Sequence, residues 1–213
     1  MVVDKKKYKF SFTGASALPA ETLVIAEEYI RLNDWKKVKV SVQEHNLMKK
    51  TKQNTSDRMY HEIKKRLELL TNEQLNLLVS GSPDESKAMV LLSLLKTYSF
   101  FKDFVIEVIR AKFLLYNNNI VASDYTSFFN SKAITNDELN TITEKTTNKV
   151  KQVLFKMLEQ VGLINSAKEG MIIKPFLSDD AIRIILNDDA SLFAGFLCSD
   201  AEIRSLKKST VHG

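Results

Sequence analysis

The sequence predicts an all-α protein, and three observations carry that prediction. The 213 residues include only 6 Gly and 3 Pro, too few for a fold rich in hairpins. Helix-start signals recur along the chain: Thr71 with Gln74, Ser82-Pro83-Asp84-Glu85, Thr135 with Glu138, and Ser178-Asp179-Asp180. Val150, Val153, Leu154, Met157, Leu158 and Val161 repeat at the spacing of one buried helix face.

From the N-terminus, Pro19 sits in the first turn of a helix running to about Leu32 and burying Leu23, Val24, Ala26, Tyr29 and Ile30. Asn33-Asp34 breaks it, and a second helix follows from about Trp35 to Glu44. A third, from about Ser56 to Leu70, places Met59, Ile63, Leu67 and Leu70 on one face. Its outward face shows Arg58, His61 and Lys65, with Lys64 at the border. A short helix begins at the Thr71 box. The next begins at Ser82 and carries Met89, Val90, Leu92, Leu94 and Leu95, apolar on most sides and hence central in the fold.

In the second half, a long helix from Phe100 to Tyr116 turns Phe104, Val105, Val108, Ile109, Phe113 and Leu114 inward, and Asn117-Asn118-Asn119 ends it. Ser123-Asp124 caps a short helix containing Phe128 and Phe129, and the Thr135 box starts another. The helix over 143–161 buries the Val150 stripe and leaves Lys145, Asn148, Gln152 and Lys156 outward, with Lys149 beside them. Gly162 ends it. Leu163 and Ile164 then lead through a polar turn, with Lys168 at its tip, to Met171, Ile172 and Ile173. Long helix, short helix, exposed helix and hairpin is the order of a winged helix-turn-helix. The Trp35 helix, a turn and the basic helix after it give a second helix-turn-helix-like unit. Beyond Ser178, one helix carries Ile182, Ile184, Ile185 and Leu186, and a weaker amphipathic tail runs to about Leu206.

These units divide the chain into an N-terminal subdomain (1–81), a central helix with the winged unit (82–186) and a helical tail (187–213). No low-complexity linker separates them, so the subdomains are expected to pack together.

Charge narrows the partner. The net charge is +5 and the pI about 9.1. Lys49, Lys50, Lys52, Arg58, Lys64, Lys65 and Arg66 outnumber Asp57 and Glu62 by the whole of that surplus. Lys5, Lys6, Lys7 and Lys9 form a second basic cluster, while the segment 179–189 is acidic. Positive charge gathered into patches points to a polyanion. No apolar run reaches the roughly 18 residues of a membrane span. The N-terminus lacks the apolar block of a signal peptide. The single Cys198 excludes an internal disulfide and fits a reducing cytoplasm. A soluble cytoplasmic protein without membrane contact is the expectation.

Catalytic chemistry finds little support. His45, His61 and His212 have no spacing with Cys, Asp or Glu that a metal site requires. Asp179-Asp180 reads as helix capping, and Asp188-Asp189 as a polar stop. Ser11-Phe12-Thr13-Gly14 lacks the phosphate-loop pattern, and Cys198 lies among apolar residues as an inert thiol. No enzyme activity, cofactor or small-molecule substrate is expected. The partner expected is double-stranded DNA. Lys145, Asn148, Lys149, Gln152, Lys156 and Lys168 form one candidate surface; Lys49, Lys50, Lys52, Arg58, His61, Lys64 and Lys65 form the other. Lysine without arginine on the first surface predicts phosphate contact with weak sequence preference. RNA binding of the antitermination-factor kind and a purely protein-docking role are the alternatives.

Tyr8-Lys9-Phe10-Ser11-Phe12-Thr13-Gly14 stands before Leu18-Pro19, and Ala26-Glu27-Glu28-Tyr29 before Asp34-Trp35. Asp124-Tyr125 leads to Phe128-Phe129 and Lys132, and Lys149-Val150-Lys151-Gln152-Val153-Leu154-Phe155 runs to Gly162-Leu163. These stretches resemble the BrxA family of BREX bacteriophage-resistance systems. The likeness runs from about Lys7 to about Leu186. It implies a small helical accessory protein without known enzymatic activity, encoded beside a methyltransferase and large ATPase-type partners and working with other BREX proteins. It also implies DNA binding through helix-turn-helix-like elements and transfers no catalytic residue.

Overall fold

Packing the alternating aromatics Tyr8, Phe10 and Phe12 against the core fixes the path of the N-terminal segment. A computed structural model of the protein describes residues 7–209; Lys5, Lys6 and His212 lie outside the described residues. Tyr8 and Phe10 meet Phe100 edge-on, with ring centroids 5.2 and 4.9 Å away, and Phe12 meets Tyr98 at 5.4 Å. A 3₁₀ turn, Ser11–Gly14, follows and packs between the helices called α3 and α9 below.

Helix α1 (Pro19–Leu32) buries Thr22, Ile25 and Ala26, whereas Leu23 and Val24 are half-buried and Ile30 is exposed. Its inner face is therefore rotated from the expected one. Thr22 tolerates burial because its hydroxyl donates to the Ala17 carbonyl at 3.3 Å. Helix α2 (Trp35–Glu44) is capped by Asp34, which accepts from the Lys36 and Lys37 amides at 2.7 and 3.3 Å. Helix α3 (Gln53–Leu67) starts and stops slightly earlier than expected, with Met59, Ile63 and Leu67 inward. Two of the predicted capping boxes form, at Thr71 for α4 (Asn72–Ser80) and at Ser82 for α5 (Pro83–Thr97). Every residue of α5 from Ala88 to Leu95 is buried, and α1, α3, α4 and the next helix, α6, pack around it.

The long helix over 99–114 contains a surprise. It runs as α6 (Ser99–Phe104), a π turn (Val105–Arg110) and α7 (Ala111–Leu114). A π turn holds more residues per turn and so rotates everything after it. Phe104, Val105 and Ile109 remain inward, but Leu114 and Leu115 emerge, the latter 77% exposed. Helix α8 (Ala122–Ala133) starts before the expected cap, and Asp124 instead reaches back to the Val121 amide at 2.8 Å. The Thr135–Glu138 box does not form. A 3₁₀ turn (Asp137–Thr141) occupies that stretch, and Glu138 accepts from the Tyr8 amide at 3.0 Å. Helix α9 (Glu144–Gln160) is followed by α10 (Asp179–Asp189), a 3₁₀ segment (Ala190–Phe196) and α11 (Asp200–Ser209).

The β-hairpin wing expected after Gly162 is corrected: among the described residues there is no strand, only isolated antiparallel bridges Ile164–Ile172 and Asn119–Met171. Asn165 N–H to Met171 O (3.0 Å) and Ile173 N–H to Leu163 O (2.9 Å) join its arms. Pro175, which has no N–H, helps keep the pairing from extending. The connection is nevertheless fixed. Gly170 has φ +72°, and a Cβ there would lie 2.1 Å from the Ile120 carbonyl oxygen. Gly170→Ala should cost about 2 kcal/mol or more and lower the melting temperature by about 4–8 °C; an unchanged calorimetric midpoint would show that this connection bears no strain.

Buried side chains from Tyr8 to Cys198 form a single hydrophobic cluster. Among the described residues no helix is long and apolar enough to cross a membrane.

Candidate nucleic-acid interface

Helix α9 owes its orientation to its apolar stripe. Val150, Val153, Leu154, Phe155, Met157 and Leu158 are buried, and Thr143 caps the start by accepting from the Thr146 amide at 3.2 Å. The same geometry leaves Lys145, Asn148, Lys149, Gln152 and Lys156 exposed. At 100° per residue they occupy a sector about 100° wide, over an axial length of about 16 Å. Among the described residues, no salt bridge engages Lys145, Lys149 or Lys156. Glu159, near the far end of this face, accepts from the Ala167 amide at 3.1 Å and ties the following turn to the helix. Lys168 is exposed on that turn, which Asn165 Oδ1 organises by accepting from the Ser166 and Met171 amides at 2.7 and 2.9 Å. The Thr147 hydroxyl donates to the Thr143 carbonyl at 3.2 Å, and Thr143 and Thr146 hydroxyls lie 3.0 Å apart. The free polar amides on this face are therefore Asn148 and Gln152.

The second predicted surface is electrostatically much weaker than its linear charge count. Lys49 and Lys52 are exposed, Lys49 with φ +51° in the loop before α3. Lys50 Nζ lies 2.9 Å from Glu21 Oε1, so that charge is compensated. Lys64 pairs with Glu68 at 3.4 Å and sits over the Trp35 ring, its nitrogen 5.7 Å from the centroid. Lys65 donates to Ser11 Oγ at 3.0 Å and lies 3.9 Å from Glu62. Arg58 rests on the N-terminal turn: a Cβ at Gly14 would fall 2.3 Å from its Nε. His61 is exposed, its ring 5.6 Å from that of Tyr60.

Arg66, counted in the same basic segment, is not on the surface at all. It is fully buried and donates to Tyr98 Oη at 2.8 Å and to the carbonyls of Ala15, Ser16 and Ala17. Tyr98 Oη in turn donates to Glu62 at 2.6 Å, and burial pushes the Tyr98 phenol well above its ordinary pKa. Sequence held a signal for this. Position 66 lies at the edge of the stripe formed by Met59, Ile63, Leu67 and Leu70, about 20° from Met59 at 100° per residue.

The two predicted surfaces flank one element. The Ser11–Gly14 turn touches both α3 and α9, and the Ala17 amide donates to Gln160 Oε1 of α9 at 3.0 Å. Elsewhere, among the described residues, no three His, Cys, Asp or Glu side chains gather as a metal site would require. Cys198 is buried, and burial raises its thiol pKa.

Comparison with known proteins agrees with the likeness seen in the sequence. A BREX protein BrxA of Bacillus cereus (strain H3081.97) is 29% identical over 121 residues, which span 56% of this chain and 60% of that protein. The BREX protein BrxA of Escherichia coli O9:H4 (strain HS) is 22% identical over 168 residues, 79% of each chain. The crystal structure of an uncharacterized protein from Magnetospirillum magneticum superposes with a TM-score of 0.78 at 17% identity, covering 90% of this chain and 98% of that one, and so shares the fold. The family model named BrxA matches residues 6–189, and the chain belongs to the BrxA family.

Proposed function

We propose that this protein is a non-enzymatic, double-stranded DNA-binding accessory protein of a BREX phage-defence system, working in the cytoplasm beside other BREX proteins. The observation that carries the proposal is the exposed face of α9, where Lys145, Lys149 and Lys156 stand without carboxylate partners among the described residues. A face that spans about 16 Å matches several phosphates of a duplex groove edge. In this reading α8, the 3₁₀ turn and α9 act as a helix-turn-helix, with the turn bearing Lys168 as a reduced wing. Asn148 and Gln152 can reach base edges, but with no arginine beside them the affinity comes mainly from phosphates. The α3 surface contributes less, because Glu21, Glu62 and Glu68 offset its lysines.

Titration of a labelled duplex of arbitrary sequence across a salt series tests this. Micromolar or tighter binding that weakens steeply with salt is expected. Lack of binding at low salt would defeat the proposal and promote a protein-docking role. That second role has an observation of its own: Leu115 and Tyr116, 77% and 92% exposed after α7, with Val121 and Met171 also exposed. Co-purification of neighbouring gene products from nuclease-treated extract would support it.

A further inference from the structure

We propose that the cavity enclosed by the N-terminal segment, α3 and the α5–α6 junction is a phosphate-binding site built from Lys7, Lys9 and Lys65. The cavity, about 420 Å³, is lined by Lys7, Lys9, Lys65, Thr97, Tyr98 and Ser99. Two separate stretches of chain thus bring three lysines to one space, a third supplies Thr97, Tyr98 and Ser99, and among the described residues no carboxylate lines it.

Placement of the two N-terminal lysines is fixed by the residue between them. Tyr8 turns into the core, its amide donating to Glu138 at 3.0 Å and its hydroxyl to Asp103 at 2.8 Å. Its neighbours on either side are left lining the cavity. Among the described residues neither Lys7 nor Lys9 enters a salt bridge or a side-chain hydrogen bond. Lys65 has one acidic neighbour, Glu62 at 3.9 Å. That carboxylate also accepts from Tyr98 Oη at 2.6 Å and Ser11 Oγ at 3.2 Å, and at 3.9 Å it forms only a long ion pair with Lys65. Asp103 and Glu138, which accept from Tyr8, are not among the residues lining the cavity.

Three like charges around one partly enclosed space repel, and a dianion relieves that repulsion. Lysine holds phosphate as a point charge, and hydroxyls add directional contacts. Ser99 supplies such a hydroxyl, whereas Thr97 already donates its own to the Ser93 carbonyl at 2.7 Å. A carboxylate ligand would leave more of the positive charge uncompensated. The site also adjoins the Ser11–Gly14 turn, which packs against α9. A phosphate could therefore come from the duplex backbone, in which case the assignment rests on the proposed DNA binding, or from a free phosphorylated compound.

The test uses the full-length chain, labelled with ¹⁵N and titrated with inorganic phosphate and then pyrophosphate. Saturable amide shifts at Lys9, Lys65 and Ser99 are expected, weakened about tenfold in the Lys7→Gln/Lys9→Gln variant while the remaining spectrum is unchanged. No saturable shift in the wild type, or equal binding by the variant, overturns the site. Duplex titrations of both proteins then identify the source. A salt slope reduced by about 0.9 in the variant, the contribution of one phosphate, assigns the site to the DNA backbone. An unchanged slope with retained phosphate binding by the wild type assigns it to a free phosphorylated compound. If the wild type binds no duplex at all, the DNA proposal fails while the phosphate titration still decides the site.

Discussion

Replacing Lys145, Lys149 and Lys156 with Glu should weaken duplex binding by roughly a hundredfold or more at moderate salt and flatten its salt dependence. Each lysine that neutralises one phosphate contributes about 0.9 to the slope of log affinity against log salt, so losing three removes about 2.7. Reversal goes further than removal, because three new carboxylates would face the phosphates. All three side chains are exposed and, among the described residues, without a salt bridge, so the fold should hardly respond; each substitution is expected within about 0.5 kcal/mol of neutral. Retained melting temperature with lost binding would locate the interface on α9. Retained affinity would take that helix out of the interface. Asn148→Ala with Gln152→Ala is the companion variant. It should leave the salt slope intact and reduce only whatever discrimination exists between duplex sequences, since amides read bases and contribute no charge.

The legible parts of this fold share a physical cause. α4, α5, α9 and α10 begin at polar caps whose partners lie three residues away, and such local bonds are visible in a linear sequence. The outward face of α9 was legible for the same reason: its phase is set by the stripe from Val150 to Leu158 on the same helix. Misreadings arose where a local signal lost to a distant one. Glu138 gives up the Thr135 box to hold the Tyr8 amide, 130 residues away in sequence. Lys50 finds Glu21 across 29 residues, and no window over the basic segment contains that carboxylate. The π turn breaks the periodicity on which the inward assignment of Leu114 depended. The wing failed differently. Its residues do approach as two arms, but with too few paired amides to make strands.

Arg66 turns this distinction between linear and folded charge into an experiment. Its guanidinium makes four hydrogen bonds, to Tyr98 Oη and three consecutive carbonyls, Ala15 to Ala17, without contact with solvent. Arg66→Met keeps an apolar stem of similar length but leaves those carbonyls and the Tyr98–Glu62 pair without their donor. Removing one partner from a buried ionic network costs about 3–5 kcal/mol. For a chain of this size that is a fall of about 6–20 °C in melting temperature. Arg66→Lys should recover only part of it, because an ammonium cannot reproduce the planar fork that serves adjacent carbonyls. If Arg66 were a surface cation, as its neighbours in sequence suggest, Arg66→Met would instead spare stability and lower the DNA salt slope by about 0.9. The folded structure requires the opposite pairing. Well below the melting transition, the variant should bind duplex with an undiminished slope. A slope that fell while the melting temperature held would place this arginine at the interface and contradict the packing of the N-terminal segment. The anchoring also has a functional consequence. Ala15 to Ala17 hold the turn that lies between α3 and α9, so loss of the guanidinium loosens the element that links the two basic helices.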